Sequence, residues 1–333
     1  MPYSQEKRTA INAVTRAAAL CHAVQREMGE LDAIEKGDRS PVTVADYGSQ
    51  ALICQQLADS FPGDGIVAEE DSTALREPDA AAQLNQVVEY VRHFCADATP
   101  QRVCAWIDRG RGRVGPRFWT LDPIDGTKGF LRRQQYAVAL ALIEGGQVQV
   151  AALGCPALPL ELGEAVSPVG TLFVAVRGEG AFMCALGSGD PVPIRVSQGG
   201  NPSQLRLVES VEEAHGHALL QEAIAQAVGI HQPALRLDSQ AKYGILARGE
   251  AALYLRLPSP GRPAYREKIW DHAAGALIVE EAGGRVTDMH GQALDLAAGE
   301  SMAANRGVIA SNGTLHGAVL RALAERMGAL DRA

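Results

Sequence analysis

The stretch WTLDPIDGTKGF, Trp119 to Phe130, sets two aspartates three residues apart around a proline and closes on glycine, threonine and lysine. Asp, Pro and Gly favour tight turns for backbone reasons alone. The carboxylates of Asp122 and Asp125 also suit a hard divalent cation such as Mg2+. The motif is therefore a turn, a cation site or both, and the choice depends on what else the chain supplies.

Further acidic positions stand at the ends of expected elements. SPVTVAD (40–46) reads as an extended piece ending at Asp46, and YGSQALICQQLADSF (47–61) as a helix stopped at Phe61-Pro62-Gly63. Asp46 then lies at a helix start, where an N-cap role competes with a chemical one. GIVAEED (65–71) passes from a buried strand into Glu69, Glu70 and Asp71. Adjacent carboxylates repel unless a cation or solvent separates them, so a solvated acidic loop is the alternative there. In KIWDHAAGALIVEEAGG (268–284), Ala273, Ala276, Leu277 and Ala282 continue a helix that stops at Gly283-Gly284, which leaves Asp271 near its N-terminus.

Phosphate-ester hydrolysis is the chemistry such parts allow. Paired cations would neutralise phosphoryl oxygens and acidify a bound water, and the backbone N–H groups of Gly126 and Thr127 would cradle the phosphate. Thr127, hydrogen-bonded to a carboxylate such as Asp46, would help to deprotonate that water. Pro123 breaks the D-x-D pattern that a phospho-aspartate phosphatase of the haloacid dehalogenase type requires. The alternating oxygen ligands of an EF-hand and the G-x-x-x-x-G-K-[ST] of a P-loop are both missing.

Bulk properties are those of an ordinary globular protein. The 333 residues are 47% hydrophobic and 21% charged, enough for about two domains with sizeable cores. A net charge of −8 argues against a nucleic-acid polymer as partner, and the basic run Arg109, Arg111, Arg113 and Arg117 is expected to be solvated. Six scattered cysteines lack zinc-site spacing and read as reduced packing residues. With no signal-peptide pattern and no membrane-length apolar run, a cytoplasmic monomer without membrane contact is the expectation.

Helical periodicity marks Ile11, Val14, Ala18 and Cys21, and again Leu84, Val87, Val88 and Val91. AVALALI (137–143) and QVQVAAL (147–153) flank Glu144-Gly145-Gly146 as a hairpin, and TLFVAV (171–176) starts a further strand-rich stretch. LRLVES (205–210), the helix through Leu220, Ile224 and Val228, and GVIASNG before Leu315, Val319 and Leu323 make the second half an alternation of strand and helix. The Pro/Gly-rich 154–170 segment is the expected boundary, giving an N-terminal α+β domain over 1–160 with most of the metal ligands and a C-terminal α/β domain over 161–333.

DPIDGTKGF, AEED and WDHAAGALIVEEAGG, in this order, resemble the motifs of the lithium-sensitive, Mg2+-dependent phosphomonoesterases of the inositol monophosphatase family, over roughly Ser40 to Gly313. The resemblance implies an α/β (α+β) fold, a layered α/β/α/β/α sandwich of the inositol monophosphatase/fructose-1,6-bisphosphatase type. It further implies two or three Mg2+ ions held by Glu69, Asp122, the carbonyl of Ile124, Asp125 and Asp271, with Asp46 and Thr127 as the water-activating pair. Ala68 departs from the glycine usual before that glutamate, which leaves the carboxylate in place.

Lys128, where a second threonine is usual, and LDSQAKYGILARGEAALYLRLP (237–258) are more similar to the family branch acting on 3',5'-bisphosphate nucleotides than to the inositol monophosphatases. That branch implies substrate contacts from Gly126, Thr127, His215, Ser239, Lys242, Arg256 and Asp271, with Lys242 and Arg256 on a phosphate that is held but not cleaved. It implies removal of the 3'-phosphate of adenosine 3',5'-bisphosphate, with 3'-phosphoadenylyl sulfate as a second substrate. The alternative on the same scaffold is an inositol polyphosphate 1-phosphatase. A non-catalytic nucleotide sensor would be expected to lose a metal carboxylate or Thr127, and both kinds of residue are kept. The segment 72–117 reads as a lid or an insertion.

Overall fold

The computed structural model describes residues 2–27, 33–35, 41–163, 169–199, 201–211, 218–259, 261 and 264–330. In chain order the elements are α1 (Ser4–Glu27), β1 (Ala33–Glu35), β2 (Pro41–Thr43), α2 (Val44–Ser60), β3 (Gly65–Ala68), α3 (Ala81–Arg92), α4 (Pro100–Asp108), β4 (Arg117–Asp125), α5 (Thr127–Leu131), β5 (Ala137–Glu144), β6 (Gln147–Pro159), β7 (Val169–Val176), β8 (Gly180–Ala185) and β9 (Val192–Pro193). They continue with β10 (Leu207–Glu209), α6 (Ala218–Ala227), β11 (Leu235–Arg236), α7 (Ala241–Ala247), β12 (Leu253–Arg256), α8 (Ala273–Glu281), β13 (Arg285–Thr287), β14 (Val308–Ser311) and α9 (His316–Leu330). Among the described residues, β1 pairs with β2, β3 to β9 form a seven-stranded sheet in sequence order, and a five-stranded sheet runs β11-β10-β12-β14-β13.

Strand alternation explains the layering, because successive side chains point to opposite faces. Trp119, Leu121, Val138, Leu140 and Leu142 of the large sheet pack with Val14, Ala18, Leu52 and Ile53 of α1 and α2. Their neighbours Phe118, Ala139, Ala141 and Ile143 join Tyr243 and Leu246 of α7 and Ala273, Leu277 and Ile278 of α8. Val208, Tyr254, Val308 and Ala310 of the small sheet close the far side of that helical layer. The opposite face of the small sheet, Leu253, Leu255 and Ile309, is covered by Ile224 of α6 and Val319 and Leu323 of α9. The result is the expected α/β/α/β/α sandwich.

The hairpin of Glu144-Gly145-Gly146 forms as expected: Glu144 faces Gln147, and both glycines have positive φ, +58° and +78°. Such a two-residue turn matches the strand twist and requires that conformation at both central residues. The expected break near residue 160 does not divide the sheets. β6 pairs antiparallel with β7, so the large sheet runs on to Pro193 and the small one begins at Leu207. In the segment 72–117, Val87, Val88, Val91, Val103 and Ile107 of α3 and α4 lie in the same core as α2. Arg117 is not solvated: Asp64 and Glu6 each lie 3.0 Å from its guanidinium, and Phe61 stacks beneath it.

Candidate active site

β4 carries the opening motif to one end of the large sheet. Asp122 stands opposite Ala139 and Asp125 opposite Ala137, three steps on β4 against two on β5. Residues three apart on a regular strand face opposite sides, and the extra residue of this bulge brings both carboxylates to one side. Ser49 of α2 donates from its hydroxyl to the Pro123 carbonyl at 2.9 Å, which pins the bulge. β3 runs parallel to β4 with Ala68 beside Leu121, a register that carries Glu69 level with Asp122.

Asp46 is not the cap of α2. Thr43 is the cap, its hydroxyl accepting from the N–H groups of Ala45 and Asp46, while Asp46 completes a capping box from the third helical position. The Asp46 Oδ2 accepts from the Thr43 N–H at 2.8 Å and from its hydroxyl at 2.6 Å. The hydroxyl of Thr127 donates to the Ile124 carbonyl at 3.2 Å.

Gln50, one turn beyond Asp46 and fully buried, went unnoticed in the sequence. Its amide donates to the carbonyls of Glu70 and Ile107, at 2.5 and 2.9 Å, and accepts from the Glu70 N–H at 3.0 Å. It thereby fixes the backbone next to Glu69. A glutamine four residues after Asp46, directly before the apolar run ALIC (51–54), was the available signal.

Electrostatics join what the elements bring close. Burial first, then the charges of Glu69, Asp125, Asp271 and Asp46, hold the Asp122 carboxyl well above the usual carboxylate range. The residues acting on Asp122 are thus the other four acids of the expected centre. Asp271 is pushed well up by burial and then by Asp125, with Arg256 opposing. Asp125 is raised by burial, against the pull of Lys242, the N–H of Gln240, Arg256 and His272.

From the helical layer, Gln240 presents its backbone N–H to Asp125 Oδ2 at 2.5 Å. Ser239 before it has a left-handed backbone, φ +66°, and lies against Gly126, where a Cβ would come within 2.9 Å of Ser239 Cβ. Asp238 pairs with Arg132 at 2.7 Å, which ties the end of α5 to this segment. Lys242 is only 3% exposed; its ammonium donates to the Leu237 carbonyl at 3.2 Å and sits 5.5 Å from the Tyr254 ring. Burial lowers it to about 8, with Asp125 opposing. His215 lies outside the described residues.

Arg256 meets Glu267, its Nε 3.2 Å from each carboxylate oxygen. Glu267 in turn lies 3.3 Å from His272 Nε2, and His272 Nδ1 shares a 2.7 Å hydrogen bond with the Tyr243 hydroxyl. Burial works to raise Glu267, but Arg256 and then His272 outweigh it and bring it to about 2. Potential ligand atoms of Glu267, Asp271 and His272 lie within 4.8 Å of one another. With Arg256 on both Glu267 oxygens, this group is a hydrogen-bonded network beside Asp271 and a poor cation cage. Neither Glu267 nor His272 was singled out in the sequence, although both flank Asp271.

The donor set around Asp122 fits a hard cation. It offers oxygen atoms alone, and Asp122 Oδ1 is buried with no hydrogen-bond partner among the described residues. A cavity of about 500 Å³ lies elsewhere, between α6 and the β10–β11 edge, and contains none of these acids. Convergent charge, and not cavity size, locates the centre.

Layer order and acidic centre together define an α/β protein of the layered-sandwich class, with its polar centre where the large sheet meets the middle helices. The profile described as the inositol monophosphatase family matches residues 4–327, and the chain belongs to that family. It is 44% identical to a 3'(2'),5'-bisphosphate nucleotidase of Oryza sativa, over 97% of this chain and 94% of the relative. A 3'(2'),5'-bisphosphate nucleotidase of Schizosaccharomyces pombe is 43% identical, over 93% and 92%. In fold it matches an IMPase of Thermotoga maritima, TM-score 0.64 at 23% identity over 95% of each chain. An inositol monophosphatase of Anabaena matches with TM-score 0.63 at 21% identity, over 98% and 97%. No helix among the described residues is long and apolar enough to cross a membrane.

Proposed function

We propose that the chain hydrolyses the 3'-phosphate of adenosine 3',5'-bisphosphate, giving AMP and inorganic phosphate, and accepts 3'-phosphoadenylyl sulfate as a second substrate. The observation that carries this reading is the 44% identity to a 3'(2'),5'-bisphosphate nucleotidase across nearly the whole of both chains. Glu69, Asp122, the Ile124 carbonyl, Asp125 and Asp271 would hold Mg2+, two or three ions in all. Bound Mg2+ supplies charge neutralisation at the phosphoryl oxygens and a more acidic water.

The remaining work falls to the chain. Gly126 and Thr127 offer backbone N–H groups to the phosphate, and Asp46 and Thr127 orient the water that attacks it. The buried charge of Lys242 and the forked guanidinium of Arg256, held by Glu267, grip the phosphate that stays. Ser239 and His215 complete the substrate contacts. The six free cysteines support the cytoplasm as the chain's compartment.

The deciding assay measures phosphate release with Mg2+, with and without Li+, from adenosine 3',5'-bisphosphate, AMP, inositol 1-phosphate and inositol 1,4-bisphosphate. The bisphosphate nucleotide should be preferred and Li+ should inhibit. Faster release from an inositol phosphate would assign the chain to the other branch, and binding without turnover would make it a sensor.

A further inference from the structure

Gln240 touches both sides of the acidic centre. Its backbone N–H holds Asp125, which comes from β4, and its side-chain amide donates to the Trp270 carbonyl at 2.9 Å, the residue before Asp271. The same side chain accepts from the Gly275 N–H at 3.4 Å. α8 has no side-chain cap of its own, so this contact serves as a cap delivered from the residue before α7. Gln240 is 2% exposed, and its amide has no solvent in which to find other partners.

We infer that Gln240 is a positioning residue that sets the gap between Asp125 and Asp271, and so tunes the affinity of the centre for its cation. The inference deepens the proposed function and rests on it. Asp125 comes from the end of β4 and Asp271 from the segment before α8, so their separation depends on what links those two elements. Gln240 spans them, through its main chain on one side and its side chain on the other. Outer contacts of this kind orient ligands that touch the metal.

The test uses Gln240→Met, which keeps length and volume but removes both side-chain hydrogen bonds, with Gln240→Asn as a shorter amide. Mn2+ binding is measured by calorimetry on the full chain without substrate, alongside the Mg2+ concentration for half-maximal phosphate release. Both quantities should weaken by about tenfold or more in Gln240→Met, with the nucleotide KM at saturating Mg2+ shifted much less. Gln240→Asn should weaken them too if Gln240→Met fails to fold, as judged by circular dichroism. Wild-type Mn2+ affinity in a folded variant would overturn the inference, as would a fall in kcat alone. Wild-type chain that binds no Mn2+ would instead sink the proposed function, and this inference with it.

Discussion

Lys242 is a cation kept where cations are costly, almost wholly buried beside Tyr254 and lowered to about 8. It is charged below that pH and neutral above it. If its charge grips the uncleaved phosphate, kcat/KM for the bisphosphate nucleotide falls as pH rises through about 8, since that ratio follows the free enzyme. Lys242→Arg, whose guanidinium stays charged, should remove this alkaline limb. A wild-type profile that stays flat across pH 8 would exclude Lys242 from the phosphate grip.

At the scale of elements, the turn from β4 into α5 depends on Gly126. Its φ of +86° is strained for any residue with a side chain, and the Ser239 Cβ occupies the space such a side chain would need. Gly126→Ala should therefore move Asp125 and Thr127 relative to α7 and lower kcat by about 100-fold, with a much smaller loss of thermal stability. Turnover within a few-fold of wild type would show that this turn tolerates the change.

Legibility in the sequence follows the range of the interaction. The Gly145-Gly146 hairpin and the first and last helices were readable because their signals are local. For Asp46 the sequence left a cap role open beside a chemical one, because Thr43, three residues earlier, competes for the cap and only the hydrogen bonds decide between them. The boundary expected in 154–170 falls within the large sheet, because nothing in that segment says that the next strand returns antiparallel to β6. The acids of the centre were nominated by local chemistry and family resemblance. Gln240 and Glu267 acquire a role only when two layers meet, so they left no comparable trace.

For the whole molecule, the acidic centre opposes folding unless its charge is neutralised. Asp122 is raised above its unfolded value, so the stability linked to its proton is full below about pH 4 and is lost as pH rises through the folded value. At neutral pH, chelation should lower the melting temperature of the wild type by roughly 2–6 °C relative to Mg2+-saturated protein. In chelator, Asp122→Asn should melt higher than wild type while losing activity about 100-fold or more. A lower melting temperature for Asp122→Asn in chelator would mean that its carboxylate is stabilised by something other than a cation.

The change of sheet between Pro193 and Leu207 has a practical corollary. Everything nominated to hold the reacting phosphate on the β4 side lies before it, and Gln240, Lys242, Arg256 and Asp271 lie after it. A chain severed there yields two fragments, each with an incomplete constellation and each missing half of the core around α8. Phosphate release from the mixed fragments would then be a complementation signal, reporting reassembly of the layers with a readout that neither fragment can produce alone.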